Sequence, residues 1–229
     1  MPTLALIGAG PGLGAAVARR FGREGFDIAL ISRNQQHLDA LAAELAGGGV
    51  HARGFAADVR DRKALTAALD AATSTLGPIE VLQYSPVPHK DFMKPVLDTR
   101  PQDLEGPLAF SLFGPMTAVE HVLPGMREHG AGTVLFVNGG TAVQPHPQRA
   151  GTSIAFAAES AYARMLHDAL AADSIHIAQL IIPGAIAPGD EHTDPGRLAE
   201  ILWTLHHQRG DFRHYASPIT HGGTAGPGS

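Results

Sequence analysis

The sequence predicts an α/β fold, a doubly wound parallel sheet in a single domain, and two observations carry that prediction. Apolar runs of strand length alternate with stretches of helical period from residue 3 to about residue 205, the pattern of parallel strands joined by crossover helices. Strands alternating with helices imply a parallel sheet covered on both faces. The chain has 229 residues, 44% hydrophobic and 17% charged, enough apolar surface for one large core and too much for a disordered chain.

Thr3–Gly8 reads as the first strand, ending in glycines, and Gly12–Glu24 as the first helix, with Leu13, Val17 and Phe21 along one face. Asp27–Ser32 is the second strand, and Asn34–Leu45 a helix with Leu38, Leu41, Ala42 and Leu45 inward. Val50–Ala56, Arg62–Leu76 and Ile79–Tyr84 give a strand, a helix and a strand. Ser85–Gly106 is proline-rich and reads as an irregular loop, of a length usually tied to function. Pro107–Met126 is helical but interrupted at Gly114-Pro115, Thr133–Val137 is a strand, and Ser153–Ala172 a helix. Ile175–Ile182 is the last strand and Arg197–His207 the last helix.

Composition narrows the function classes. Seventeen basic and 22 acidic residues leave a net charge of −5, so no basic footprint recommends nucleic acid or an anionic membrane as partner. No apolar run approaches the ~20 residues of a membrane helix, and the first residues lack the pattern of a secretory signal, which expects a cytoplasmic protein. With no cysteine, disulfides, thiolate metal sites and a cysteine nucleophile are excluded. The 13 histidines show no metal-ligand spacing, and no metal site is expected.

The strongest local signal is Gly8-Ala9-Gly10-Pro11-Gly12-Leu13-Gly14 between the first strand and the first helix. Glycines there let the backbone turn tightly and approach a pyrophosphate, while the helix N-terminus offers free N–H groups and a positive dipole. On that spacing, and on Asp58-Val59, Leu112–Met116 and Pro183-Gly184, the sequence resembles the short-chain dehydrogenase/reductase family over about residues 3–205. The resemblance implies a Rossmann-type fold and a nicotinamide cofactor bound along Gly8, Gly10, Gly12, Leu13 and Gly14. It implies Asp58 and Val59 beside the adenine, Tyr84, Ser85 and Pro86 against the cofactor, and Pro183, Gly184 and Ile186 beside the nicotinamide. Residues 1–215 are then one NADP(H)-binding unit and 216–229 a flexible Gly-rich tail. The second strand ends in Ser32-Arg33-Asn34 with no carboxylate to accept from a ribose 2′-hydroxyl. Arg33 offers a planar cation, and Ser32 a hydroxyl, for a 2′-phosphate, with Asn34 beside them as a further cofactor contact, so NADP(H) is expected over NAD(H).

The catalytic half departs from the family. Glycine stands at the serine place after Asn138. Counting thirteen residues on from Gly139 puts Thr152 at the tyrosine place, and counting back from Pro183-Gly184 puts Ser153 there. Phe156 or Ala157 then stands where the family has lysine, and Ser111 where it has a helix asparagine. Ser153, Tyr84 at the end of the fourth strand and His146 in the Pro145-His146-Pro147 loop are the candidate catalytic residues. Hydride transfer with no protein acid is the remaining route. Glu159 and Asp168 read as a solvated helix face, not a catalytic pair. The leading expectation is reduction of a C=O, C=N or activated C=C in a small-molecule substrate. A non-redox cofactor-binding protein (or silent subunit) and a cyclase or isomerase are the alternatives. The family's habit of packing its large helices between subunits implies a homodimer or homotetramer.

Overall fold

The computed structural model describes residues 1–219. Among them, seven strands form one parallel sheet in the order β3-β2-β1-β4-β5-β6-β7. The strands are β1 (Thr3–Ile7), β2 (Asp27–Ser32), β3 (Ala52–Ala56), β4 (Ile79–Tyr84), β5 (Gly132–Gly139), β6 (Ile175–Ile182) and β7 (Arg213–Tyr215). The helices are α1 (Leu13–Gly22), α2 (Gln35–Gly47), α3 (Arg62–Leu76), α4 (Glu105–Leu108), α5 (Gly114–His129), α6 (Ala150–Leu170) and α7 (Pro195–Gln208).

Alternation along each strand divides the core in two. Ala5, Ile7, Leu82, Val134 and Phe136 face α3, α5 and α6, whereas Leu4, Leu6, Val81, Leu135 and Leu180 face α1, α2 and α7. Phe21 of α1 has no exposed surface and meets Phe26 and Trp203 edge-on at 5.4 and 5.1 Å between ring centroids. Burying such a ring contributes roughly 2–3 kcal/mol. The chain leaves β1 in one direction along the sheet and resumes at β4 in the other. The crevice beyond the carboxyl ends of β1 and β4 is therefore the switch point at which open α/β sheets bind ligands.

Three departures from the sequence reading have physical causes. β7 is short and polar, without an apolar pattern, and backbone bonds hold it at the edge: Gln179 N–H to the Phe212 carbonyl (2.7 Å) and Ala216 N–H to the Ile181 carbonyl (2.9 Å). Ala216, expected in the tail, is thereby buried; residues 220–229 of that expected tail lie outside the described residues. The 85–106 segment carries three 3-10 turns, Lys90–Phe92, Val96–Asp98 and Pro101–Leu104, and is pinned by Val96 N–H to the Pro147 carbonyl (2.7 Å) and Ala150 N–H to the Lys94 carbonyl (2.9 Å). Finally, the helix expected from Pro107 widens into a π turn over Ala109–Phe113 before α5 begins. A Cβ built on Gly114 would lie 2.5 Å from the Tyr84 hydroxyl oxygen and 3.0 Å from the Val59 carbonyl. The chain passes too close to the sheet there for a side chain, and π turns of this kind recur at functional sites.

Candidate active site

A cleft of about 480 Å³ opens at the switch point. Gly8, Gly10, Gly12, Leu13, Gly14, Ser85 and Pro86 line one end. Val87, Pro88, Met93, Arg149, Thr152 and Phe156 line the other, with Asn138, Gly139 and Gly140 between them and Gly184 and Ile186 on the rim.

The glycine turn is shaped for close backbone approach. Gly8 has φ +96°, and a Cβ there would meet the Pro86 nitrogen at 2.5 Å, so only glycine fits. Its N–H and that of Ala9 donate to the Ile31 carbonyl at 2.9 and 3.1 Å, tying the turn to the end of β2. At Gly10 and Gly12 an added Cβ would meet nothing and would project into open space at the cleft. α1 starts at Gly12 with no side-chain cap and no acidic residue in its first turn. By contrast, α2, α3 and α7 are capped by Asn34, Asp61 and Asp194, each cap contributing about 1 kcal/mol. Free N–H groups, a positive helix end and space without side chains fit the pyrophosphate of a dinucleotide.

At the adenine end implied by the glycine turn, Ser32 is half-buried and Arg33 exposed. Asn34, expected as a cofactor contact, spends its side chain accepting from His37 N–H (3.1 Å) to cap α2. Asp58 is gripped by Arg60, Nη2 to Oδ2 at 2.7 Å. That hydrogen bond holds its carboxyl below the usual carboxylate range. Val59 is buried in the core.

The candidate catalytic residues are not brought together. Tyr84 is 2% exposed, and its hydroxyl donates to the Phe110 carbonyl beneath Gly114. Burial drives its phenol well above the ordinary tyrosine range, so it holds the π turn and does not line the cleft. Tyr84→Phe is expected to cost about 1 kcal/mol of stability through that lost hydrogen bond and to leave turnover within about twofold. Thermal melts and steady-state rates check both. His146 lies exposed in its loop, its Nδ1 accepting from Gln148 N–H at 3.1 Å. Ser153 turns away from the cleft and accepts from His146 N–H at 3.0 Å, a clamp on the loop entering α6.

The structure chooses between the two counts along α6. Thr152 and Phe156, four residues apart, both line the cleft, whereas Ser153 and Ala157 do not. A Cβ on Gly139 would lie 3.7 Å from the Phe156 ring, so an apolar ring and a bare glycine form the floor. Thr152 is 5% exposed, and its Oγ1 has no hydrogen-bond partner among the described residues. An unsatisfied buried hydroxyl costs roughly 1–3 kcal/mol, and this oxygen is shielded from solvent as well.

Behind this floor stands a polar network that the sequence did not reveal. Asn138 Nδ2 donates to Glu159 Oε2 (2.7 Å), and Gln179 Nε2 donates to Asn138 Oδ1 (2.8 Å). Arg213 in turn donates to Gln179 Oε1 (2.8 Å) and to Ser160 Oγ (2.7 Å). Glu159 is therefore buried at 1% exposure, not on a solvated face. Its burial raises its carboxyl well above the usual range, which favours the protonated form. A raised folded-state pKa stabilises below the unfolded value near 4.5 and loses that contribution as pH rises through the folded value. Glu159→Gln removes this penalty, so the variant's Tm advantage over the parent should grow from about pH 4.5 to about pH 7. Paired melts across that range test it; a flat difference would contradict a protonated Glu159.

Fold and cleft together define an α/β protein with a dinucleotide-type phosphate turn at its switch point. Comparison with known proteins narrows the class. The short chain dehydrogenase family profile matches residues 3–194. A D-threitol dehydrogenase of Mycolicibacterium smegmatis is 35% identical over 131 residues, 57% of this chain and 49% of the relative. The chain thus spans about half the length of that curated relative. A 2,3-dihydro-2,3-dihydroxybenzoate dehydrogenase of Bacillus subtilis is 28% identical over 202 residues, 87% of this chain and 71% of the relative. Among solved structures, a short-chain dehydrogenase from Rhodopseudomonas palustris superposes with a TM-score of 0.83 at 25% identity, covering 95% of this chain and 99% of the other. The chain belongs to the short-chain dehydrogenase family.

Sequence reasoning missed Arg149 and Asn138 as cleft residues, along with the carboxylate behind Asn138. One signal was present: Glu159 is the lone acid in a small-residue run, Ala157-Ala158-Glu159-Ser160-Ala161, whereas Thr152-Ser153 read as the start of the helix and hid Arg149.

Proposed function

We propose that the chain is an NADP(H)-dependent oxidoreductase that acts on a C=O, C=N or activated C=C of a small molecule without the family's tyrosine–lysine pair. The observation that carries this reading is the asymmetry of one cleft. Its glycine end has an uncapped helix start and glycines that face open space, while its far end is lined by Gly139, Phe156 and Thr152. Bound NADP(H) supplies or accepts a hydride; the protein's own residues must do the rest. Gly8, Gly10, Gly12 and the α1 N-terminus would hold the pyrophosphate, Arg33 and Ser32 the 2′-phosphate, and Gly184 and Ile186 the nicotinamide side.

Thr152 could polarise a substrate heteroatom only by turning its hydroxyl, shielded in this structure, toward the cleft. A threonine hydroxyl does not surrender its proton near neutral pH, so the proton completing a reduction comes from water. That chemistry suits acceptors already poor in electrons, imines and activated alkenes before simple ketones. The test is loss of reduced-nicotinamide absorbance against a panel of ketones, imines and enones. NADPH that binds tightly but is never consumed would favour a cofactor-binding protein, for which the apolar floor is the supporting observation. Phe113, Met116, Ile154 and Met165 expose apolar side chains along the α5–α6 side. They support a homodimer or homotetramer, which light scattering measures. Among the described residues no helix is long and apolar enough to cross a membrane.

A further inference from the structure

We infer that the far end of the cleft recognises a carboxylate: Arg149, beside the start of α6, holds the carboxylate of a monoanionic substrate at the mouth of the cleft. The inference rests on the oxidoreductase reading above and names its substrate class.

The first observation is charge. Among the described residues lining the cleft, Arg149 carries the one charged side chain. Its guanidinium makes no ion pair or hydrogen bond among the described residues, whereas Arg60, Arg127 and Arg164 are each engaged by a carboxylate. Unpaired arginines are common on a solvated surface; this one stands over an apolar cleft formed by Val87, Pro88, Met93 and Phe156.

Helix capping supplies the second. α6, 21 residues long, begins at Arg149 with no side-chain cap and no acid in its first turn, as α1 does at Gly12. Helices α2, α3 and α7, which also start from loops, are all capped by Asn or Asp. Both bare helix ends border the same cleft. One faces the glycine turn; at the other the Ala150 N–H already donates to the Lys94 carbonyl at 2.9 Å, so the Arg149 guanidinium, not the helix end, is the group open to a second anion.

The third is the floor beside Arg149, where Thr152 and Phe156 line the cleft while the Thr152 hydroxyl oxygen is buried away from its surface. Arg149 and Thr152 lie three residues apart, about 4.5 Å along the helix axis and on one side of it. A substrate anchored at Arg149 lies along this largely apolar wall, and the guanidinium is the one charged group it meets there among the described residues. A planar guanidinium matches a carboxylate through two parallel hydrogen bonds. A phosphate dianion would call for a second cation. Lys94, nearest in sequence to the cleft residue Met93, is paired with Asp103 at 2.7 Å.

The experiment compares trans-2-hexenoate with trans-2-hexenamide, equal in shape and different in charge, binding to the NADPH-saturated full-length protein by ligand-observed NMR. The acid should bind at least about tenfold more tightly than the amide, a ratio one charge-assisted contact supplies. Arg149→Met should erase the ratio, and Arg149→Lys should keep part of it, since lysine offers a point charge without the planar fork. NADPH affinity of Arg149→Met should match the parent, which shows the fold and glycine turn intact. Equal binding of acid and amide, no binding of the acid, or a ratio that survives Arg149→Met overturns the inference. If NADPH itself fails to bind, the oxidoreductase reading falls, and the same comparison on the cofactor-free protein still decides the anion site.

Discussion

Gly12→Val is expected to abolish NADPH binding, at least about a hundredfold in Kd or ~2.7 kcal/mol, while the melting temperature without cofactor stays within a few degrees of the parent. Both halves follow from the geometry. A Cβ at Gly12 meets no protein atom within 4 Å, so the substitution forces no clash in the fold. The same empty space lies at the N-terminus of α1 and lines the cleft, where a branched side chain would stand between the backbone N–H groups and a pyrophosphate. Gly8→Val is the contrasting control. Its φ of +96° and the approach of Pro86 make that variant strained throughout, so it should lose stability as well as binding. Titration by nicotinamide fluorescence, with melts in the presence and absence of NADPH, separates the two. Parental affinity in Gly12→Val would mean that the glycine turn is only a turn.

The sheet was legible because its interior strands are buried on both faces, and β1, β2 and β6 therefore read as mainly apolar runs, β6 despite His176 and Gln179. β7 was not, because three polar edge residues held by backbone bonds leave no side-chain pattern. The π turn was visible only as Gly114-Pro115. Its cause, the approach of the chain to the Tyr84 hydroxyl, is a contact between residues far apart in sequence.

The site divides in the same way. Glycine spacing encodes a backbone shape directly, so the phosphate end could be read from one segment. The far end depends on which side of α6 a residue faces, and adjacent positions on a helix point about 100° apart. Thr152 and Ser153 are neighbours in sequence and opposite in role, one lining the cleft and the other clamping the His146 loop. Glu159 misled for a related reason. Glutamate is ordinarily exposed, and nothing in its own segment reveals Asn138 waiting on β5. Small residues of α6 (Gly151, Ala155, Ser160 and Ala163 are all buried) let the helix lie close enough to the sheet for that pair to meet.

Arg33→Asp is expected to invert the cofactor preference, from NADPH bound at least about tenfold more tightly than NADH to NADH bound more tightly than NADPH. The tenfold gap equals ~1.4 kcal/mol, within reach of one charge-assisted phosphate contact. The local geometry supports this magnitude. Arg33 stands exposed at the end of β2, beside a half-buried Ser32, while Asn34 is occupied in capping α2 and offers no competing contact. The nearby carboxylate, Asp58, is neutralised by Arg60 through two side-chain hydrogen bonds of 3.1 and 2.7 Å. It is therefore poorly placed to accept from a ribose hydroxyl in place of Arg33, and the parent has no ready carboxylate for NADH. Aspartate at position 33 supplies one and repels a 2′-phosphate with the same charge. Arg60→Ala sharpens the test, because it frees Asp58: NADH affinity should rise modestly there, with Arg33 still holding NADPH. Equal affinities for the two cofactors in the parent, or an unchanged ratio in Arg33→Asp, would remove Arg33 from the cofactor site and with it the preference for NADP(H).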